Sequence, residues 1–302
     1  VEIKSQSRLK FYIFENYKLF DLDQSLLKKF IEDAILEDIG TGDHTSLATI
    51  PAHAVGRAKL LIKENGVIAG VDVALAIFNA FDNSLTVEVL IKDGQKVNIG
   101  DIALYVSGNQ QSILKAERLV LNTMQRMSGI ATTTSNIVVS LEGTHTNVLD
   151  TRKTTPNLRF LEKEAVKIGG GVNHRFGLYD MILIKDNHVD FAGGIKNAVE
   201  AAYKYLKEKN LKIPVVVEVR NFKELEELLA GTKVDRVLLD NFSFDDLKKA
   251  VKLIDGRIPT EASGGITPEN AIDYATCGVN FISMGALTHS VKSLDMSLKA
   301  VI

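Results

Sequence analysis

Ten residues, DTRKTTPNLR (Asp150 to Arg159), follow the short apolar run Val148-Leu149 and set Arg152 beside Lys153 amid three threonines. Adjacent cations at the end of a strand repel one another unless something negative sits between them. Arg159, His174, Arg175 and Lys185 join them within one β-α-β stretch. Arginine's planar fork suits carboxylates, while lysine acts as a mobile point charge suited to phosphate. GGGVNHRFGLYD (Gly169 to Asp180) is too rich in glycine to be helix throughout and is expected to loop over a mouth. Arg159, Lys163 and Lys167 sit at helical spacing, and the last two read as a solvated helix face. A lone His174 would more often be structural; beside Arg175 and ahead of a strand end it becomes a candidate site residue.

Acids mark the ends of other apolar runs. NVLD ends in Asp150, VVVEV carries Glu218, RVLLD ends in Asp240, and PTE ends in Glu261, while MILIK closes on Lys185. Active sites of α/β barrels are assembled from the C-terminal ends of several strands. The alternative is a set of paired charges that merely close the rim. Glu218 and Asp240, on neighbouring strand ends, could hold magnesium, fix sugar hydroxyls or stabilise a carbocation. EASGGITPENA brings Ser263, Gly264 and Gly265 to a strand end, with a helix expected to start at Thr267-Pro268. Glycines let backbone amides approach an anion, and a helix start adds its positive end. SMGAL places Ser283 and Gly285 on the next strand, so the pair of turns reads as a phosphate cradle. Cations for an anion on one side and carboxylates for a cation on the other suggest bond breaking with charge separation.

The elements that must position these groups fall into two rhythms. DQSLLKKFIEDAILE (Asp23 to Glu37) has helical apolar spacing, and from Arg57 to Val106 short β-rich runs alternate with turns, an α+β pattern with antiparallel strands. KDGQKVNIGD resembles the hairpin turns of biotinyl and lipoyl domains but lacks the setting of a modified lysine, so plain turn chemistry is expected. A long helical stretch, in one or two pieces, is expected from about Ser112 to Leu141. On it Arg118, Asn122, Gln125 and Gly129 share a face that suggests close packing against backbone or a partner. Strand and helix then alternate, which implies a parallel sheet with helical crossovers. Six strands are clear and a seventh is weak, which favours a barrel over an open doubly wound sheet.

Composition bounds the reading. The 302 residues are 45% hydrophobic and 25% charged, ordinary for a soluble globular protein, and the formal charge of -2 offers no global pull toward nucleic acid or anionic membranes. Cys277 is the single cysteine and reads as a buried small hydrophobe at a helix end, and the six histidines lack metal-ligand spacing. The first residues are too polar for a signal peptide and no run is long enough to span a bilayer, so a soluble, cytoplasmic protein is expected.

ERLVLNTMQRMSGIAT, DTRKTTPNLR, GGGVNHRFGLYDMILIKDNH, VEV, LLDN, EASGGI and ISMGAL occur in the order found in the quinolinate phosphoribosyltransferase family, which the chain resembles over nearly its whole length. The resemblance implies an N-terminal α+β sandwich domain (residues 1–124) against an incomplete, seven-stranded α/β barrel (125–287), with a C-terminal helix (288–302) packing back on the first domain. It implies transfer of a phosphoribosyl group from phosphoribosyl pyrophosphate to quinolinate with decarboxylation, giving nicotinate mononucleotide, pyrophosphate and CO2 for NAD synthesis, with magnesium. Arg152, His174, Arg175 and Lys185 match positions around the quinolinate carboxylates, with Lys153 close by. Glu218 and Asp240 match acids facing the ribose and the metal. Lys153, Lys185, Glu218 and Asp240 are the catalytic candidates. Ser263, Gly264, Gly265 and Gly285 match the 5'-phosphate cradle, and Ser283, just before Gly285, is a further substrate-binding candidate. Arg118 matches an arginine that reaches a neighbouring subunit's site, so a homodimer or an assembly of dimers is expected. A relative acting on another acid such as nicotinate, and a non-catalytic binding protein on the same scaffold, are the competing readings.

Overall fold

The computed structural model describes residues 24–231 and 233–301. Asp23, the polar N-terminal stretch and Ile302 therefore lie outside the described residues. The first part of the chain runs α1 (Gln24–Ile39), α2 (His44–Thr49), β1 (Val55–Ile62), β2 (Gly66–Val67), α3 (Val71–Phe81), β3 (Thr86–Val89), β4 (Lys96–Val97) and β5 (Ile102–Asn109). The strands β1, β3 and β5 are antiparallel, and β4, set among the KDGQKVNIGD turns that lead from β3 to β5, pairs antiparallel with the distant β2.

Helix α4 (Gln110–Ser140) is one continuous rod of 31 residues rather than two pieces. Asn109 caps it by accepting a hydrogen bond from the Ser112 N–H, which satisfies one of the amides a helix start leaves unpaired. Its buried side, with Val120, Met124, Met127 and Ile130, belongs to the main core. The polar stripe divides. Gln125 Nε2 donates to Met296 O at 2.9 Å, and a Cβ on Gly129 would collide with Lys292 O, so these two pack on backbone as expected. Arg118 and Asn122 are exposed.

The alternating part follows: β6 (Asn147–Leu149), α5 (Arg159–Ile168), β7 (Ile182–Ile184), α6 (Asp186–Ala192), α7 (Ile195–Lys209), β8 (Val215–Val219), α8 (Phe222–Leu229), β9 (Arg236–Asp240), α9 (Phe244–Ile254), β10 (Thr260–Ser263), α10 (Ala271–Thr276), β11 (Phe281–Ser283) and α11 (Ala286–His289). Six parallel strands pair in the order β6-β11-β10-β9-β8-β7. The seventh shrinks to a single parallel bridge, Leu149 to Val172, and no strand pairing joins Val172 to β7 among the described residues. The barrel is open at that seam.

Period-two alternation sorts each strand's side chains. Val215, Val217, Val219, Val237, Leu239, Ala262 and Ile282 join the main core under the helices, whereas Val216, Leu238 and Met181, with Leu183, form a separate cluster inside the barrel. The same parity turns Lys185, Glu218, Arg236, Asp240, Glu261 and Ser263 into the lumen.

The last element corrects the expected C-terminal helix. Residues Met296–Val301 are a strand, β12, paired antiparallel with β1 from Met296↔Ile62 to Val301↔Arg57. The segment does return to the first domain, but as the edge of its sheet, in the order β12-β1-β5-β3. Met296 and Leu298 are buried and alternate with more exposed Ser297 and Lys299, a strand period that a helix could not use.

Candidate active site

The loops at the C-terminal ends of the barrel strands bring most of the expected residues together. Lys185, directly after β7, donates from Nζ to Glu218 Oε2 at 2.8 Å; Glu218 is buried and Lys185 half exposed. On the neighbouring strand Leu238 pairs with Glu218, which sets Asp240 one inward-facing step nearer the rim, level with Ser263. Asp240 Oδ2 accepts from Asn241 Nδ2 at 2.7 Å.

Arg175 reaches down into this rim and donates to Met181 O at 3.2 Å. Burial holds its guanidinium below its ordinary pKa, and the nearby charge of Arg152 adds to that depression. Two guanidiniums set this close, one half-buried, make a strongly positive hollow. Arg152 and Lys153 are exposed, while Arg159 anchors their loop through Thr154 Oγ1 (2.9 Å), Phe176 O (2.9 Å) and Arg152 O (3.3 Å). Asp180 braces the Gly169–Asp180 loop by accepting the amides of Phe176 and Gly177 at 2.6 and 2.9 Å.

The glycine cradle is close-packed. Gly264 has φ +99°, a conformation costly for side chains with a Cβ, and a Cβ there would collide with Asn241 Oδ1. A Cβ on Gly285 would press 2.9 Å from Lys153 Cδ, which places the lysine stem against the last barrel turn. Ser283 is buried and donates to Ala262 O at 3.4 Å. The expected helix start at Thr267-Pro268 is corrected: α10 begins at Ala271. Asn270 takes the Thr267 N–H at 2.8 Å and donates to Gly265 O at 3.1 Å, so Gly265–Asn270 is held as a turn. Any anion here meets turn amides rather than a helix end.

Three residues sit elsewhere than their patterns suggested. Glu261 is fully buried in the lumen, accepting from Arg236 at 2.8 Å with His174 Nε2 at 3.5 Å. Burial alone would raise its pKa, but His174 and Arg236 override that and hold the carboxyl at about 2. His174 is correspondingly buried, with Nδ1 accepting the Arg175 N–H at 2.7 Å, so both ring nitrogens face protein groups below the rim. Lys163, read as solvated, is wholly buried in an ion pair with Asp150, whereas Lys167 is exposed and pairs with Glu164.

Arg126 escaped the sequence reading altogether. It donates to Glu162 at 2.6 and 2.9 Å and to Thr155 Oγ1 at 2.8 Å, stapling α4 to the loop that carries Arg152 and Lys153. Its neighbour Gln125 lies on the polar stripe. The missing clue was a second charged residue at a helix position otherwise rich in buried apolar groups. Cys277 is buried as expected, capping α10.

Parallel strands delivering cations, two carboxylates and a glycine turn to one rim define an α/β-barrel enzyme built for small anionic substrates. Residues 43–128 match the N-terminal domain, and residues 130–299 the C-terminal domain, of quinolinate phosphoribosyl transferase. The chain is 49% identical to the chloroplastic nicotinate-nucleotide pyrophosphorylase [carboxylating] of Arabidopsis thaliana, over 90% of this chain and 82% of that protein. It is 42% identical to the probable nicotinate-nucleotide pyrophosphorylase [carboxylating] of Bacillus subtilis, over 90% and 92%. The crystal structure of NadC from Streptococcus pyogenes superposes with a TM-score of 0.88 at 38% identity, covering 94% of this chain and all of that one. The chain belongs to the quinolinate phosphoribosyltransferase family.

Proposed function

We propose that this enzyme transfers the phosphoribosyl group of phosphoribosyl pyrophosphate to the ring nitrogen of quinolinate, releasing pyrophosphate and CO2 and forming nicotinate mononucleotide for NAD synthesis. The observation that carries the reading is the convergence of the Arg152–Arg175 pair and the Lys185–Glu218 pair on one rim. A pyridine dicarboxylate offers two anionic groups to the guanidiniums, and each arginine presents a fork that matches a carboxylate. Arg118, exposed on α4, extends toward a second subunit's site in a homodimer.

The reaction separates charge at the ribose C1. Pyrophosphate leaves C1 with its charge met by Lys153 and Lys185, and the electron-poor carbon is stabilised by the carboxylates of Glu218 and Asp240. The pyridine nitrogen attacks C1 from the arginine side, and holding both reactants in line removes much of the entropic barrier. The pyridinium so formed draws the electron pair of the adjacent carbon–carboxylate bond onto C2. CO2 departs and C2 takes up a proton. The turn amides of Gly264 and Gly265, with Ser263, Ser283 and Gly285, receive the 5'-phosphate.

Among the described residues no group of three or more His, Cys, Asp or Glu gathers into a metal cage. Two carboxylates on neighbouring strand ends nevertheless fit magnesium, which binds through one or two protein carboxylates and takes its other oxygens from substrate phosphates and water. Glu218 and Asp240 would hold it, where it neutralises leaving-group charge. Among the described residues no helix is long and apolar enough to cross a membrane, and we place the enzyme in an aqueous compartment.

The test is product formation from phosphoribosyl pyrophosphate with quinolinate and, separately, with nicotinate. Pyrophosphate and CO2 released in equal amounts with quinolinate, and negligible turnover with nicotinate, are expected. Turnover of nicotinate alone would replace the substrate assignment, and ligand binding without pyrophosphate release would remove the catalytic one.

A further inference from the structure

The two guanidiniums that receive the dicarboxylate lie on different loops, Arg152 after β6 and Arg175 before β7, and both loops are tied to one buried ion pair. Asp150 and Lys163 are wholly buried and bonded to each other. Asp150 Oδ1 also accepts the His174 N–H at 2.8 Å, while Lys163 Nζ donates to His174 O at 3.0 Å. The Asn173 amide, oriented to satisfy its neighbours, donates to Asp150 Oδ2 at 2.5 Å and to Lys163 O at 2.9 Å. The His174 backbone is thus gripped at its N–H and its C=O by opposite charges. That grip falls one residue before Arg175, and the carboxylate making it lies two residues before Arg152.

Such a pair contributes little to stability. Burial pushes the Asp150 carboxyl up to about 6 and the Lys163 ammonium down, so each charge opposes its own ionisation and is held by the other. Apolar side chains of the same volume often fill a site like this at equal or lower cost. They could not bond both ends of a backbone unit. On a rim loop whose strand has dwindled to one bridge at Val172, that bonding replaces the sheet ladder found elsewhere in the barrel.

We propose that Lys163, together with Asp150, is a positioning residue for the dicarboxylate site: by fixing the His174 backbone against the end of β6 it sets the separation of the Arg152 and Arg175 guanidiniums, and thereby the preference for two carboxylates over one. This builds on the quinolinate reading above. Neither residue touches substrate. Their effect is geometric, and a misplacement of about 1 Å in a positioning group costs on the order of a hundredfold.

The test compares wild type, Lys163→Met and the double variant Asp150→Asn/Lys163→Met. In the double variant both charges are gone. The introduced asparagine keeps an acceptor for the His174 N–H, while the introduced methionine offers no donor to His174 O. Thermal midpoint, the KM values for both substrates, and direct binding of quinolinate and nicotinate are measured for each. Lys163→Met is expected to lower the thermal midpoint, and the double variant to recover most of it. In the double variant the quinolinate KM stays raised by about tenfold or more, the phosphoribosyl pyrophosphate KM stays within about threefold, and the ratio of quinolinate to nicotinate affinity falls. Recovery of the quinolinate KM along with the midpoint, or a parallel rise in both KM values, overturns the proposal. Wild type failing to prefer quinolinate overturns the substrate reading and the proposal with it. Normal wild-type preference with an unchanged ratio in the double variant removes the positioning role alone.

Discussion

Glu261→Gln tests the charge buried in the lumen, because glutamine keeps the shape and removes the carboxylate. Glu261 is fully buried, and its pKa is held at about 2 against an ordinary 4.5 by His174 and Arg236, in spite of burial. That gap corresponds to roughly 3 kcal/mol of native-state stabilisation at neutral pH. The variant leaves Arg236 buried without its anion, and breaking such a pair costs about 3–5 kcal/mol. The assay is urea unfolding of wild type and variant at pH 7 and pH 3, each ΔG taken from midpoint and slope. Above pH 4.5 the carboxylate is ionised in folded and unfolded chains, and its contribution is complete. As the pH falls toward 2 the unfolded chain takes up its proton first, so the contribution shrinks, to roughly half or less by pH 3. The stability gap between wild type and variant should therefore narrow by about 2 kcal/mol on going from pH 7 to pH 3. A gap that is the same at both pH values, or below about 1 kcal/mol at pH 7, refutes the reasoning.

Four further outcomes are expected. Glu218→Gln should lower kcat by about 10²–10³-fold while quinolinate affinity by calorimetry stays within about threefold, because the proposed mechanism aims its charge at the developing cation rather than at the acid. Arg175→Ala should weaken quinolinate binding by about 10–150-fold, the worth of a lost charge-assisted hydrogen bond, read by titration calorimetry. Gly264→Ala should raise the KM for phosphoribosyl pyrophosphate and cost about 1–3 kcal/mol in unfolding, since φ +99° and the contact with Asn241 both resist a Cβ. Mixing inactive Arg118→Ala with inactive Glu218→Gln and allowing subunits to exchange should restore about a quarter of wild-type turnover. In the proposed dimer one of the two sites of each mixed pair is then intact, and half of random dimers are mixed.

What the sequence made legible was periodic or local. Near-continuous apolar runs identified β8 and β9 as strands buried on both faces, and their breaks at Glu218 and Asp240 marked the rim. Depth was not legible. Glu261 ends an apolar run as the others do, but its partners Arg236 and His174 lie on other elements and draw it into the lumen. Lys163 reads as solvated because its partner Asp150 sits 13 residues earlier on a different element, beyond the reach of any helical period. The C-terminal strand was readable in principle, since the buried Met296 and Leu298 alternate with the polar Ser297 and Lys299, a period of two that the helix implied by family resemblance does not have. The expected first turn of α10 was lost to Asn270, whose side chain holds the backbone as a turn where Thr-Pro suggested a helix start.

The pairing of β12 with β1 has a consequence for biosynthesis. Arg57 waits for Val301, so about 240 residues must be added before the first sheet gains its outer strand. At roughly 5–20 residues per second that is about 10–50 s during which a nascent chain carries an unprotected β edge out of the ribosome, a target for chaperones or for a second nascent copy. Emergence of β12, and not of the leading strands alone, is the event that completes this sheet.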